Sequence, residues 1–463
     1  MRVLTDRRTV LRHVLRAIVV LGGAQLATAC SSTAPGGQLG PNSAAANATS
    51  QPGNPTVASA APASGRRGDT PLVYLNQSRG QAAPLEALAQ RYAEQTGVAV
   101  TIDSPGPIDY PKKLQAASQA GNMPDAYYAV AADIAPYYKA GWALNLETEL
   151  EKGWKTNFSS AALKLSSWSD GNPAGVPRGI YSAPWEISTF AVLYNPAHFQ
   201  KAGLDPKQSP ATMHELLESL KRIRAAGIGP FSLAAEWVPR FVRGYASNWL
   251  TDEEIEATHA GRASWTADGW KRGLQIIADL RDAGALLNDA LPTGDVTNPN
   301  VEKSFFNVRE LACSYDNTAS VGVQRTTAPE FTEFGSFPFP RAADGKLAPR
   351  AIGNPGKNGV INAKGPRVPE TLAFIKWLTD VPQSQFLMDR VPLVPANPAA
   401  LDPKLVSPQI AGFADLVDKI QIVPTAISAV VNDTLIKGAQ SIVLKEKTVD
   451  QVLDELDRVQ KSG

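Results

Sequence analysis

Residues 179–203 read GIYSAPWEISTFAVLYNPAHFQKAG, and this stretch lies between two sets of predicted strands and helices. Its apolar part, residues 190–194, predicts a strand that begins the second set after residue 185. Both sets alternate strands with helices, which is the pattern of βαβ units and a parallel sheet. We therefore expect an α/β protein with elements grouped on each side of this stretch.

The first set contains three predicted strands. Residues 72–75 are apolar and predict the first strand, and Pro84 opens a helix that Gly97 ends. Residues 98–102 predict a second strand, and a third follows near residues 126–130 after a short helix. These strands would form one sheet.

The second set contains strands and several amphipathic helices. Thr212 and Glu215 form a capping box that opens a helix, and residues 227–230 turn into a strand. The C-terminal third reads as mostly helical, and a capping pattern at Thr448 and Gln451 opens the last helix. About 395 residues follow residue 68, which exceeds the size at which one core stops growing, so two lobes are expected.

The N-terminus has the features of a cleaved export signal with a lipidation site. Five arginines in residues 1–16 precede an apolar segment of about a dozen residues, whereas a membrane span needs roughly 20. Leu26-Ala27-Thr28-Ala29-Cys30 resembles a bacterial lipobox, although Ala27 stands where Leu is usual. Arg7-Arg8 resembles a twin-arginine signal, or is a chance pair in a basic segment. We predict a signal peptide at residues 1–29 and lipidation of Cys30, which would hold the exported protein at the outer face of the cytoplasmic membrane.

Residues 31–68 are almost wholly small or polar, with no aromatic residue and no carboxylate. Such a segment cannot bury enough apolar surface to offset its ordering entropy, so residues 30–68 are expected to form a disordered tether. A coil of this length spans roughly 35 Å on average.

Composition argues against several functional classes. Without residues 1–29 the chain has 40 basic and 43 acidic residues, a net charge of −3, which argues against a nucleic-acid partner. The chain has two cysteines, so lipidation of Cys30 would leave Cys313 without an intrachain partner, as a buried inert thiol. No ATP or NADPH pool exists outside the cell, so no cofactor is expected.

Signatures of enzymes and metal sites are absent from the sequence. No zinc-protease, nucleophile-elbow, phosphate-loop or Cys-x-x-Cys pattern occurs, and His198, His214 and His259 are far apart. The carboxylates of residues 252–256 could imitate a glycosidase acid pair, but they fit a negative first helical turn better. Glycines 353, 356 and 359 read as a turn. We expect neither catalysis nor a bound metal.

Tryptophan is the notable residue, with nine copies, some beside planar polar side chains. Trp185-Glu186 and Glu236-Trp237 with Arg240 are examples. Sugar rings pack on aromatic planes, while carboxylates, amides and guanidinium groups bind their hydroxyls, so these groups suggest a carbohydrate pocket.

The quoted stretch resembles the crossover segment of family 1 extracellular solute-binding proteins, the maltose-binding-protein-like receptors of ABC importers. Other blocks resemble this family in the same order: residues 121–125 (GNMPD), 140–146, 210–216 (PATMHEL), 337–340 (FPFP) and 448–453. The resemblance covers nearly all of residues 70–460.

The resemblance implies a two-lobe, periplasmic-binding-protein-like (type II) α/β fold with ligand between the lobes. Three interlobe crossings would lie near residues 183–187, 336–341 and 380–386. The N-lobe would comprise residues 69–183 and 341–380, and the C-lobe residues 187–336 and 386–463. Ligand would close the hinge, and the closed monomeric receptor would deliver it to the transmembrane subunits of a permease.

Carried over position by position, the resemblance also implies a set of ligand-binding residues. They are Asn76, Gln77, Tyr128, Asp133, Trp185, Glu186, Glu236, Trp237, Arg240, Asp316, Asn317 and Asn354. Ala319 and Ala426-Ile427 stand where maltose-type members carry aromatic residues, so maltodextrin specificity is not predicted.

Three other functions stay open at this stage. A polyol or glycerophosphate ester is the alternative ligand if a second basic group joins Arg240. The tyrosine pairs at residues 127–128 and 137–138 leave open an Fe(III) receptor. A secreted hydrolase is the third alternative.

Overall fold

The computed structural model describes residues 70–77, 80–130, 134–170, 172, 174–293, 299–348, 350–423, 425 and 427–462. The predicted signal peptide, Cys30 and the linker lie outside the described residues. Within the described part, no helix combines the length and the apolar character needed to cross a membrane.

Thirteen strands occur in the described residues. They are β1 (Leu72–Leu75), β2 (Val100–Asp103), β3 (Ala126–Tyr127), β4 (Ser167–Trp168), β5 (Gly179–Ile180), β6 (Ala183–Pro184), β7 (Glu186–Tyr194), β8 (Gly229–Ser232), β9 (Leu311–Asn317), β10 (Gly335–Phe337), β11 (Gly353–Asn354), β12 (Asn358–Ile361) and β13 (Val394–Pro395).

Seventeen α-helices accompany these strands in the described residues. They are α1 (Ala82–Thr96), α2 (Tyr110–Gln119), α3 (Ile134–Lys139), α4 (Glu147–Glu151), α5 (Ser160–Leu165), α6 (Pro196–Lys201), α7 (Met213–Ala225), α8 (Val238–Ala246), α9 (Asp252–His259), α10 (Asp268–Asp282), α11 (Pro299–Glu302), α12 (Thr318–Thr327), α13 (Val368–Leu378), α14 (Val381–Arg390), α15 (Pro408–Ala414), α16 (Ala429–Val443) and α17 (Val449–Ser462).

The first sheet has five strands in the order β2-β1-β3-β12-β6. β1 is parallel to β2 and β3, as the alternation of strands and helices predicted. β12 is antiparallel to both β3 and β6, so the sheet is mixed rather than wholly parallel. The predicted strand at residues 72–75 is confirmed, and the second strand begins at Val100, two residues later than predicted.

The second sheet is built around β7. β7 is antiparallel to β9 and β10, and its first half also pairs with β11 and β13. Every residue of β7 except Tyr194 is buried. The predicted strand at residues 190–194 is therefore confirmed but begins earlier, at Glu186. The polar residues Ser188 and Thr189 hid this first half from the apolar pattern.

The predicted helix starts are confirmed where capping patterns marked them. Thr212 and Glu215 form a reciprocal capping box on α7, and Thr448 and Gln451 exchange the same two bonds at the start of α17. The carboxylates of residues 252–256 fall in α9, whose N-terminus is capped by Thr251, and this placement supports the helical-turn interpretation.

The chain first passes between the sheets at Trp185. Ala183–Pro184 pairs with β12 in the first sheet, and Glu186 begins β7 in the second. One large apolar cluster contains buried residues of both sheets, including Tyr74, Trp185 and Phe190.

The other two passages lie later in the chain than the sequence indicated. The predicted crossing at residues 336–341 is displaced, because residues 341–354 stay on the second sheet: the N–H of Ala342 donates to Asn248, Ala351 bonds to Lys419, and β11 pairs with β7. The passage occurs at residues 355–357, before β12 joins the first sheet.

The third passage lies after α14, whereas the sequence predicted it at residues 380–386, which include the first half of α14. The guanidinium of Arg91 in α1 lies 4.0 Å from the ring centroid of Phe386 in α14, which keeps α14 with the first sheet. The next helix, α15, packs on the second sheet, where the N–H of Gly412 donates to Ser336. β13, between these helices, pairs with the start of β7.

Candidate functional site

The first two passages lie side by side and are joined through Lys357. The carbonyl of Lys357 accepts hydrogen bonds from the N–H groups of Trp185, at 2.9 Å, and Glu186, at 3.3 Å. Gly356 has φ +51°, and a Cβ there would stand 2.5 Å from the carbonyl oxygen of Glu186. Only glycine fits this close approach without displacing one of the passages.

The ammonium of Lys357 connects two predicted site residues of the first sheet. Lys357 is 5% exposed, its Nζ donates to Gln77 Oε1 at 2.8 Å, and it lies 4.4 Å from the ring centroid of Tyr128. A buried ammonium needs such partners because desolvation without them is expensive. Lys357 is not among the predicted site residues, because its position in a glycine-rich segment indicated only a turn.

Asn76 follows β1 and is fully buried. Its backbone N–H donates to the carbonyl of Asp103, but neither atom of its side-chain amide has a hydrogen-bond partner among the described residues. Burying an unpaired amide is unfavourable, so this side chain is suited to a polar partner from outside the chain. The predicted site residue Asp133 lies outside the described residues.

Trp185 is part of the core rather than an open platform. It is 1% exposed, and its Nε1–H donates to the hydroxyl of Tyr74 at 2.9 Å. The Tyr74 hydroxyl in turn donates to the carbonyl of Asn358 at 2.7 Å. Burial raises the pKa of Tyr74 well above its usual range, so this hydroxyl stays protonated and can donate. The indole ring of Trp185 therefore offers no accessible face in this conformation.

Several predicted residues share one face of β7. Asn354 stands opposite Ser188, and Asn317 stands opposite Phe190. Cross-strand partners project to the same face, and residues two apart along a strand do so as well. The side chains of these four residues therefore share a face, which is also the face of Glu186.

Asp316 does not join that group. It is buried opposite Ala191, one residue out of phase with Asn317, so its side chain projects to the other face of the sheet. Its Oδ1 accepts the backbone N–H of Asn317 at 2.8 Å. This bond holds the end of β9 next to α12, whose N-terminus Asn317 caps.

Glu236, Trp237 and Arg240 come from the turn before α8 and from α8 itself. The Trp237 ring packs edge-on against Phe190, at 5.1 Å between centroids, and the exposed Arg240 guanidinium lies 4.8 Å from the Trp237 ring centroid. Trp237 Nε1–H is buried without an acceptor among the described residues. Glu236 is half-buried beside them. Because Trp237 packs on Phe190, whose side chain lies on the shared face of β7, these residues lie next to that face.

A second cation, Arg243, stands one helical turn beyond Arg240. No described residue accepts from its buried Nε–H. Burial and the charge of Arg240 lower the pKa of Arg243 to about 10, so both guanidinium groups are charged near neutral pH. The i, i+3 spacing on an amphipathic helix could have indicated this pair from the sequence.

Three further observations concern metal and thiol chemistry. No group of three His, Cys, Asp or Glu side chains that could hold a metal occurs in the part of the chain that the structure describes. The hydroxyl of Tyr127 donates to the carbonyl of Trp142, and its ring packs against Tyr137 within the core. Burial raises the pKa of the Cys313 thiol, which suits an inert buried side chain.

Comparison with known proteins extends these observations. The family model described as bacterial extracellular solute-binding protein matches residues 76–384. Among curated proteins, the sn-glycerol-3-phosphate-binding periplasmic protein UgpB of Yersinia pestis is 30% identical over 181 residues. That alignment covers 37% of this chain and 38% of the relative's own length.

Solved structures match over much more of the chain. A probable secreted solute-binding lipoprotein from Streptomyces coelicolor has a TM-score of 0.68 and 18% identity, covering 85% of this chain and 100% of that chain. The sugar-binding protein MalE from Xanthomonas citri has a TM-score of 0.68 and 15% identity, covering 85% and 97%. These likenesses confirm the predicted two-lobe α/β fold.

Proposed function

This chain belongs to the bacterial extracellular solute-binding protein family, and on that premise we propose that it is the receptor of an ABC importer. It binds a carbohydrate between the two lobes, closes on it, and delivers it to the transmembrane subunits of the permease as a monomer. The observation that carries this proposal is the meeting of Gln77, Lys357 and the start of β7, which brings polar groups of both sheets to one place.

The lining of this place suits a hydroxylated solute. Tyr128 contributes a partly buried aromatic ring, and buried Trp237 contributes an indole N–H that has no acceptor among the described residues. Planar polar groups come from Gln77, Asn354 and Arg240. Micromolar binding requires about −8 kcal/mol, which a packed ring and several charge-assisted hydrogen bonds can supply net of entropy losses. No cofactor takes part, and the bound solute leaves unchanged.

Closure of the hinge has a contact that supports it. A Cβ on Gly80, in the loop after β1, would stand 3.3 Å from the carbonyl oxygen of Gly322 in α12 of the second lobe. Residue 80 and α12 therefore lie so close that any side chain at residue 80 would contact the backbone of α12. A solute that contacts both lobes stabilises this arrangement, because those contacts exist together only in the closed form.

We also propose that the receptor is anchored to the membrane. The Leu26–Cys30 motif favours lipidation of Cys30, and the similarity to a secreted solute-binding lipoprotein supports it. The small-residue segment after Cys30 would act as the tether at the outer face of the cytoplasmic membrane. Radiolabelled palmitate incorporation that disappears in Cys30→Ala would test this point.

A thermal-shift screen over mono-, di- and oligosaccharides tests the proposed function. A bound solute at 100 times its Kd adds about 2.7 kcal/mol to the free energy of unfolding, which gives a clear rise in Tm. Arg240→Ala should reduce that rise in Tm, because it removes the guanidinium beside Trp237 that is proposed to bind the solute. The control Arg178→Ala removes another exposed arginine whose guanidinium has no hydrogen bond to the described residues, and should leave the rise unchanged. If no solute raises Tm, or if glycosides are hydrolysed, the proposal is wrong.

A glycerophosphate ester is the second candidate ligand. Arg243 supplies the second basic group beside Arg240 that such a ligand requires, and the similarity to UgpB agrees with it. Arg243→Met should weaken the binding of sn-glycerol 3-phosphate and leave the binding of a neutral sugar unchanged. Equal loss for both ligands would show that Arg243 acts on the fold instead.

A further inference from the structure

Three side-chain amides in the proposed site have their oxygen atoms already engaged. Gln77 Oε1 accepts from Lys357 Nζ at 2.8 Å, Asn317 Oδ1 accepts from the N–H of Ala319 at 2.9 Å, and Asn354 Oδ1 accepts from the N–H of Gly356 at 2.8 Å. Their amide nitrogens have no hydrogen-bond acceptor among the described residues. The part of each amide that is left for a ligand is therefore its NH₂ donor.

The chemistry of the partners fixes which amide atom is which. An ammonium and a backbone N–H can only donate, so the amide atom facing them must be oxygen. The usual ambiguity between oxygen and nitrogen in Asn and Gln is therefore removed at all three positions. None of these side chains can turn its oxygen toward a ligand without breaking the bond that it now makes.

Further donors lie beside these amides. The Nε1–H of Trp237 is buried without an acceptor among the described residues, and Arg240 carries a charged guanidinium next to it. Asn317 and Asn354 share the face of β7 on which Trp237 packs through Phe190. Apart from the carboxylates of Glu186 and Glu236, the polar groups of this region therefore present hydrogen-bond donors to a solute.

We propose that the solute is an acidic carbohydrate, a sugar that carries a carboxylate or a phosphate. This inference rests on the proposed receptor function and narrows its ligand class. A hydroxyl both donates and accepts hydrogen bonds, whereas an oxyanion only accepts them. Several adjacent donors should therefore bind a sugar that carries an oxyanion more tightly than the matching neutral sugar. Asn317, Asn354 and Gln77 are the residues that set this preference.

Substitution of Asn by Asp gives a selective test. In Asn317→Asp and Asn354→Asp, one carboxylate oxygen keeps the structural bond to the backbone N–H, while the outward NH₂ donor becomes a negatively charged acceptor. Asn195→Asp is the matched control. Asn195 follows the other end of β7, and its Oδ1 accepts from the N–H of Ala197 at 3.0 Å in the same capping geometry.

The probes are matched sets that differ in one group: glucose, glucuronate and glucose 6-phosphate, and galactose with its uronate and 6-phosphate. Calorimetry on the full protein should show the acidic member binding about tenfold or more tightly than the neutral one. Asn317→Asp and Asn354→Asp should each weaken the acidic member by about tenfold or more, and Asn195→Asp should change it by less than about twofold. Preference for the carboxylate or for the phosphate would identify the source of the oxyanion.

Two results would overturn the inference. Tighter binding of the neutral member, or acidic binding that survives both site substitutions, would show that the donors do not select the solute, while the receptor function would stand. If no probe of either class binds, the inference fails, whereas the proposed function fails only if the thermal-shift screen over mono-, di- and oligosaccharides also finds no solute that raises Tm.

Discussion

Tyr74→Phe is the substitution that most sharply tests how the two lobes are joined. The Tyr74 hydroxyl accepts from Trp185 Nε1–H at 2.9 Å and donates to the carbonyl of Asn358 at 2.7 Å, and all three residues are almost completely buried. Removing the hydroxyl leaves one donor and one acceptor buried without partners. Each such orphan costs about 1–3 kcal/mol, so the free energy of unfolding should fall by about 2–6 kcal/mol in total.

Guanidinium denaturation followed by tryptophan fluorescence measures this loss. Tyr245→Phe is the control: Tyr245 is also largely buried, but its hydroxyl makes no hydrogen bond to the described residues, so the change should stay within about 0.5 kcal/mol. A double-mutant cycle with Trp185→Phe should give a coupling energy of about 1 kcal/mol, since both substitutions break the same bond. The two hydrogen bonds of the Tyr74 hydroxyl would be refuted if Tyr74→Phe lost no more stability than Tyr245→Phe. A coupling energy of zero with Trp185→Phe would refute the bond between Trp185 and Tyr74.

The remaining predictions concern three other positions. Gly356→Ala should lower Tm more than Gly97→Ala does. Both residues have positive φ, so a side chain costs about 1–2 kcal/mol of backbone strain at either position, but only at Gly356 would the Cβ also clash with backbone atoms. Equal losses of Tm in the two variants would contradict this prediction. Burial, with the charge of Arg243 as a second cause, lowers the pKa of His259 from 6.5 to about 4, so the unfolded chain takes up its proton first as pH falls. Stability should therefore decline between pH 6.5 and 4 by up to about 3 kcal/mol, and His259→Asn should flatten that decline in urea titrations at each pH. Trp185→Ala should lower the free energy of unfolding of the unliganded protein by about 3–5 kcal/mol, and an unchanged Tm would contradict its place in the core.

Local patterns were enough to predict much of the fold. The capping boxes of α7 and α17 and the strand at residues 72–75 depend on interactions within a few residues, and the structure confirms them. The stretch at residues 179–203 was informative because its apolar part, residues 190–194, has a length typical of a buried strand. The start of β7 was missed because Glu186, Ser188 and Thr189 interrupt the apolar pattern there.

Features that depend on distant contacts could not be predicted in the same way. The second passage lies at residues 355–357 because residues 341–354 bond to the second lobe, and nothing local distinguishes them from residues that cross earlier. Lys357 gains its role only when Gln77 and Tyr128 meet it from another part of the chain. The sequence also suggested Trp185 as a sugar platform, since composition does not reveal that its ring faces Tyr74.

Small-angle X-ray scattering of the purified protein, with and without the solute that most raises its Tm, tests the central proposal most directly. If the protein is a receptor that closes on its ligand, the radius of gyration should decrease in a saturable way, with a midpoint equal to the Kd from calorimetry. A bound solute that leaves the radius of gyration unchanged, or that is chemically converted during the titration, would contradict the account.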